Sequence, residues 1–250
     1  IFSGDIFAEN YTVSSSVTNV QISSVSGSTK SGDSNDDTHQ FTGSLFITAS
    51  RIDLVDHATQ GTFLGFNAGT GSGAGNNNVG IGYEALTSPN GAQSIVAIGR
   101  GAGKNITKSS QSGVYSILLG TNANYNNTAG SNVIAIGFEA GAHSSAGQTN
   151  AILIGYQAGD AGAGPTNSTV IGHGAFGSAT GHAQYITVVG QDAMKGGAST
   201  TTGINGAVAI GHKSLYSITS GAGNTAIGYE AGYALTSGAN NVAIGYEALE

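Results

Sequence analysis

Cysteine and tryptophan are absent from this 250-residue sequence, methionine occurs once, proline twice, and Asp, Glu, Lys and Arg together make up only 8% of it. Without cysteine there is no disulfide framework, no thiolate nucleophile and no Cys-ligated zinc. Charge this sparse excludes a coiled coil and a polyelectrolyte disordered chain. Seven Lys and Arg against fourteen Asp and Glu give a net charge of -7. The basic stripe that binds a phosphate backbone is missing, so no nucleic-acid partner is expected. No apolar run approaches the roughly 18–20 residues that cross a bilayer, so no membrane insertion is expected. The opening Ile1-Phe2-Ser3-Gly4-Asp5 shows no signal-peptide pattern and no Met, which leads us to expect a longer polypeptide.

Glycine is what the sequence has in excess, 42 residues of 250. It follows no Gly-X-Y triplet, which excludes collagen. It marks a repeat instead. Thr62-Phe63-Leu64-Gly65-Phe66-Asn67-Ala68, Val79-Gly80-Ile81-Gly82-Tyr83-Glu84-Ala85 and Val96-Ala97-Ile98-Gly99-Arg100-Gly101-Ala102 align on the anchors Gly65, Gly82 and Gly99, and the pattern returns at Gly120, Gly137, Gly155, Gly172, Gly190, Gly211, Gly228 and Gly245. The eleven anchors are 17, 17, 21, 17, 18, 17, 18, 21, 17 and 17 residues apart. Periods this regular mark a stacked repeat architecture.

A branched aliphatic precedes every anchor, and Val, Ile or Thr stands three before it. These two positions share one strand face, and the residue between them, on the other face, is never polar. A strand apolar on both faces is buried on both. The anchor glycine implies a positive φ or a close backbone approach at a corner. Three residues after it stands Ala, or Ser214 in one copy, suited to a tight inner position. Seventeen residues can hold two short strands and two turns, so each period is expected to form one coil of a parallel β-solenoid. Such a thin coil encloses about one row of side chains, and burying the second strand face calls for other copies of the chain.

Asn77-Asn78-Val79-Gly80-Ile81-Gly82-Tyr83-Glu84-Ala85-Leu86 and Asn240-Asn241-Val242-Ala243-Ile244-Gly245-Tyr246-Glu247-Ala248-Leu249 resemble the head repeats of YadA-like trimeric autotransporter adhesins. The 17-residue form is still more similar to repeats in tail-fibre and other virion proteins of marine phages. The segment Ser26–Asp33 with Asp36–Leu45 resembles one recurring in cyanophage structural proteins. These resemblances imply an all-β fold: a left-handed, homotrimeric β-roll of about eleven coils. They imply a fibre segment of a phage tail fibre or virion appendage, a spacer with a role in host attachment, located in the virion. The alternative is the passenger head of a bacterial trimeric adhesin on the outer cell surface. The partners implied are copies of the chain itself, other virion or fibre proteins, and a host cell-surface glycan or protein. Many such phage proteins end in a self-cleaving chaperone domain, of which this sequence carries no part.

Residues 1–60 are expected to form a β-rich N-terminal collar or connector, and residues 61–250 the solenoid. Asp33, Asn35, Asp37 and His39 have an oxygen-rich spacing, but Thr38 and Ser44 stand where a calcium loop needs Gly and Glu. Neither a metal nor any cofactor is expected. Glu230 and Glu247 occupy equivalent positions in successive coils, which repetition alone explains. Six aromatics occur among the eleven residues that follow the anchors; as a ladder they could stack sugars or one another. Gly101-Ala102-Gly103-Lys104 lacks the rest of a phosphate loop, and no Gly-x-Ser-x-Gly elbow exists. No enzymatic activity is expected. The two 21-residue spacings place extra residues within Lys104–Gly113 and Lys195–Gly206, where scaffolds of this type vary. Lys104, Asn105, Lys108 and Gln111 in the first, and Lys195, Thr200, Thr201 and Thr202 in the second, are the candidate recognition residues.

Overall fold

The computed structural model describes residues 60–70, 75–88, 91–106, 115–128, 130–143, 147–160, 164–178, 182–196 and 203–250. Apart from residue 60, the expected connector lies outside them, as does the oxygen-rich Asp33–His39 segment. Eleven strands are present: β1 (Thr62–Leu64), β2 (Val79–Ile81), β3 (Ile95–Ile98), β4 (Ser116–Leu119), β5 (Val133–Ile136), β6 (Thr149–Ile154), β7 (Thr166–Ile171), β8 (Thr187–Val189), β9 (Val208–Ile210), β10 (Thr225–Ile227) and β11 (Val242–Ile244). They form one parallel sheet in sequence order, and no helix occurs among the described residues. The repeat sets the register, since Val79-Gly80-Ile81 pairs with Val96-Ala97-Ile98 position for position. The protein is an all-β parallel solenoid, one strand to each repeat.

The two strand faces differ. The middle residue points inward: Ala97, Leu118, Ala135, Leu153, Val170 and Val188 are fully buried. The flanking aliphatics point outward, with Ile98 41% and Ile117 42% exposed. Ile136, which the repeat suggested as a core residue, is one of them and only partly buried. The inner face takes the smaller residues because the return leg of the coil presses against it.

That return leg is not a second strand, contrary to the expectation of two strands per coil. It is a ribbon of tight turns in which the second and fourth residues after each anchor have positive φ, as at Glu84 (55°), Leu86 (50°), Glu139 (54°), Lys213 (53°) and Leu215 (48°). The alternation turns successive peptide groups along the stack in opposite directions. Glu84 N–H donates back to the Phe66 carbonyl at 2.9 Å, while Leu86 N–H donates forward to the Ala102 carbonyl at 3.0 Å. Backbone polar groups of the ribbon are thus paired between coils, as burial demands. Left-handed φ costs a non-glycine residue roughly 1–2 kcal/mol. At the fourth position Leu86, Phe176, Met194 and Leu215 offset it by full burial, each on the order of 1.5–3 kcal/mol.

The interior is wider than a single row. Leu86, Ile95, Ile106, Ile186, Ile204 and Ile218 join the middle strand residues and the alanines of the third position in one continuous core. Large and small residues compensate across it. A Cβ on Gly69 would run into the Phe63 ring, and one on Gly103 or Gly159 would meet Leu118 or Leu153. Leu215 likewise lies 3.0 Å from the space a Cβ on Gly232 would take.

Polar side chains inside the coil serve the next coil's backbone. Asn78 Oδ1 accepts from Ile95 N–H at 3.0 Å, and its Nδ2 donates to the carbonyls of Gly75 and Ala92. Asn224 repeats this arrangement with Gly221, Gly238 and Asn241. Ser116 and Ser168 accept in the same way from Val133 and Ile186 N–H, both at 3.1 Å.

Candidate functional site

Three surfaces carry distinct chemistry, and each follows from one column of the repeat. The first is the outer sheet face. Of its 22 residues, two from each of eleven strands, 18 are Val, Ile or Leu and four are Thr, with none charged. Leu64, Val96, Ile98, Ile117, Ile152, Ile227, Val242 and Ile244 are exposed on it.

The second is the column just after the anchors. Here the rings stack in register: Phe66 on Tyr83 at 5.7 Å, Phe138 on Tyr156 at 5.2 Å, Tyr156 on His173 at 4.8 Å, His212 on Tyr229 and Tyr229 on Tyr246 both at 5.1 Å. Interplanar angles are 8–15°. The coil spacing forces this arrangement, and it covers the faces a sugar would need. Tyr216 and Tyr233 form a separate pair at 5.2 Å, with Lys213 Nζ over both rings at 5.9 and 5.8 Å.

The neighbouring acidic column is internally partnered. Lys104 Nζ reaches Glu84 Oε2 at 2.6 Å, Gln157 Nε2 donates to Glu139 at 2.9 Å, and Lys195 Nζ reaches Asp192 Oδ1 at 2.8 Å. The hydrogen bond to Glu84 raises the Lys104 ammonium above its ordinary pKa. Partial burial pushes the Asp192 carboxyl up, but the hydrogen bond and charge of Lys195 outweigh it and leave the group below its ordinary value. Lys195 is raised by the same hydrogen bond. Glu230 lies 3.7 Å from Lys213 Nζ. Hydrogen bonds to Glu230 and Glu247 hold the phenols of Tyr229 and Tyr246 above their ordinary range. These carboxylates are therefore occupied by neighbours on the wall. Among the described residues no three of His, Asp and Glu gather as a metal-binding group.

Of the candidate recognition residues, Lys104, Asn105 and Lys195 are described, and all three belong to the coil wall. Asn105 Nδ2 donates to Asn126 Oδ1 at 2.7 Å, and its N–H to the Tyr125 carbonyl. Lys104 also lies over the Tyr125 ring at 5.7 Å. Lys108, Gln111, Thr200, Thr201 and Thr202 lie outside the described residues.

The third surface was missed in the sequence. Five residues before each anchor the chain turns into its strand with positive φ, at Asn77, Ser94, Tyr115, Asn132, Asn150, Asn167, Tyr185 and Asn240 among others. Asn132 Nδ2 donates to Asn150 Oδ1, and Asn150 Nδ2 to Asn167 Oδ1, both at 2.8 Å, in an exposed amide ladder. Tyr115 and Tyr185 stand at its two ends, each 64% exposed. The signal was available: an alignment extended five residues ahead of the anchors shows two tyrosines in a column otherwise of Asn, Gln, Ser and Gly.

No family model, no curated protein and no solved structure matches this chain.

Proposed function

We propose that this chain is a structural fibre segment of a phage tail fibre or related virion appendage, a left-handed, YadA-head-like homotrimer that acts as spacer and carries host-attachment surface. The observation that carries the reading is the outer sheet face: uncharged over all eleven strands, and exposed in a single chain. Burying the 18 aliphatic side chains of this face, eight of them exposed and ten partly buried in a single chain, contributes up to about 1 kcal/mol each. That gross gain exceeds the about 4–15 kcal/mol that association costs. A second copy of the same sheet offers the same spacing between rows, and cyclic symmetry closes such an assembly. The motif resemblance supports the phage reading, and the likeness of Asn77–Leu86 and Asn240–Leu249 to YadA-like head repeats keeps the bacterial adhesin head as the alternative.

Multi-angle light scattering on the purified chain tests the assembly. A trimer is expected, and a well-folded monomer at micromolar concentration would overturn it. Reading the complete open reading frame separates the two origins. A secretion signal with a C-terminal membrane β-barrel identifies an adhesin, and tail genes on either side identify a phage.

A further inference from the structure

We infer that the corner column Tyr115, Asn132, Asn150, Asn167 and Tyr185 is a binding site for a neutral, extended oligosaccharide. The first ground is a left-handed backbone that coil-to-coil bonds hold, Tyr115 N–H to the Gln93 carbonyl at 3.3 Å and Tyr185 N–H to the Thr166 carbonyl at 3.1 Å, but that side-chain burial does not offset. Tyr115 (φ 41°) and Tyr185 (φ 59°) are bulky residues in the left-handed region, where Asn and Gly fit far better. The buried ribbon residues Leu86, Phe176, Met194 and Leu215 also take this conformation and offset it by packing in the core. Both tyrosines leave most of their surface in water, and neither ring forms a stacked pair among the described residues. Strain that packing does not repay marks a position kept for something else.

The second ground is the chemistry the column displays. Coil stacking puts the five residues on consecutive rungs about 4.8 Å apart, so the rings bracket a ladder roughly 19 Å long. The step is close to the length of one sugar ring in an extended chain. Along the column Asn132 uses one N–H, Asn167 one lone pair, and Asn150 one of each. A second N–H and a second lone pair remain, suited to hydroxyls that donate and accept at once. The rings retain open faces, unlike those stacked after the anchors. Beyond Tyr185 the column continues with Gly206, where a Cβ would meet nothing within 4 Å. Beyond Tyr115 in the other direction stands Ser94, a small residue. No member of the column is charged, which argues against an anionic glycan and against nucleic acid.

Native gel electrophoresis through immobilised polysaccharide tests the site, since the net charge of -7 drives the chain toward the anode. The probes are hydroxyethylcellulose, galactomannan and a β-1,3-glucan, with alginate as the anionic control. Retardation by at least one neutral probe and not by alginate is expected. In the double variant Tyr115→Asn with Tyr185→Asn the apparent affinity should fall about tenfold or more. Asn already occupies this corner at Asn77, Asn132, Asn150, Asn167 and Asn240, so the variant should melt no lower than the parent. Absence of retardation by all three neutral probes would overturn the inference. So would equal retardation of parent and double variant, or retardation by alginate as strong as by the neutral probes. The site uses one chain only, so light scattering on the same samples judges the fibre reading separately.

Discussion

Gly137 shows how much of the fold rests on single atoms. Its φ is 136°, closed to residues with a side chain, and a Cβ there would press into the Gly155 backbone of the next coil. We expect Gly137→Ala to cost at least about 3 kcal/mol in guanidinium denaturation, from strain and collision together. Asn124 points the other way. It is fully buried, yet neither Oδ1 nor Nδ2 has a hydrogen-bond partner. Its φ of 50° equals that of Leu86, which fills the same repeat position. Asn124→Leu should therefore stabilise the protein by about 1–3 kcal/mol, and an unchanged denaturation midpoint would contradict that. The Asp192–Lys195 pair gives a pH signature. The Asp192 carboxyl lies below its ordinary 3.8, so its contribution is complete above that pH and is lost as pH falls through the lowered value. The Lys195 ammonium is raised above 10.5, so its contribution is complete below that pH and is lost on further alkalisation. Lys195→Met should cost about 0.5–1 kcal/mol at pH 7, reduced for partial exposure, and progressively less as pH falls through the lowered Asp192 value.

At the scale of elements, strand and ribbon differ in how legible they were. The strands announced themselves through Val, Ile and Thr at fixed offsets before a glycine, and each lies where the repeat put it. The ribbon did not, because its left-handed positions accept Glu84, Leu86, Gln157 and Met194 with no shared side-chain chemistry. Their conformation is imposed by bonds to adjacent coils, a tertiary effect that no local propensity records. Inside and outside were likewise ambiguous, since both strand faces are apolar; only the ribbon settles which one is covered. The corner tyrosines stand five residues ahead of their anchors, outside the glycine-centred pattern that marks each strand. Adjacent residues of β6 now separate the two faces by experiment. Leu153 is fully buried, and Leu153→Asp should unfold the chain by several kcal/mol. Ile152 is 37% exposed on the outer face, and Ile152→Asp should leave the strand signal in circular dichroism intact while weakening self-association. Unfolding by both variants alike would mean that chains fold only as they assemble.

For the whole solenoid, stability should be a sum over neighbouring coils, because each coil contacts only the ones beside it. Every sheet contact joins consecutive strands, from β1–β2 to β10–β11. A complete period can then be removed without breaking any column. Excising residues 208–224 joins Ala207 to Thr225, so that Thr225-Ala226-Ile227 takes over the pairing that Val208-Ala209-Ile210 makes with Thr187-Val188-Val189. Leu215, whose Cδ2 lies 3.0 Å from the space a Cβ on Gly232 would take, leaves with the deleted coil. Met194 then stands beside Gly232, and its flexible chain can fill the gap. The shortened protein should fold, retain its strand spectrum, and melt slightly below the parent. Excising only residues 208–215 removes about half a period, with strand β9 and the anchor Gly211, and leaves Gly190 and Gly228 30 residues apart, which fits neither one period nor two. Gly190 and Gly228, which both approach the Gly211 backbone closely, lose that partner, and the residues left between them cannot close a regular coil. That shorter deletion should aggregate or lose cooperative melting. If the half-period deletion folds as well as the full one, the columns do not set the register.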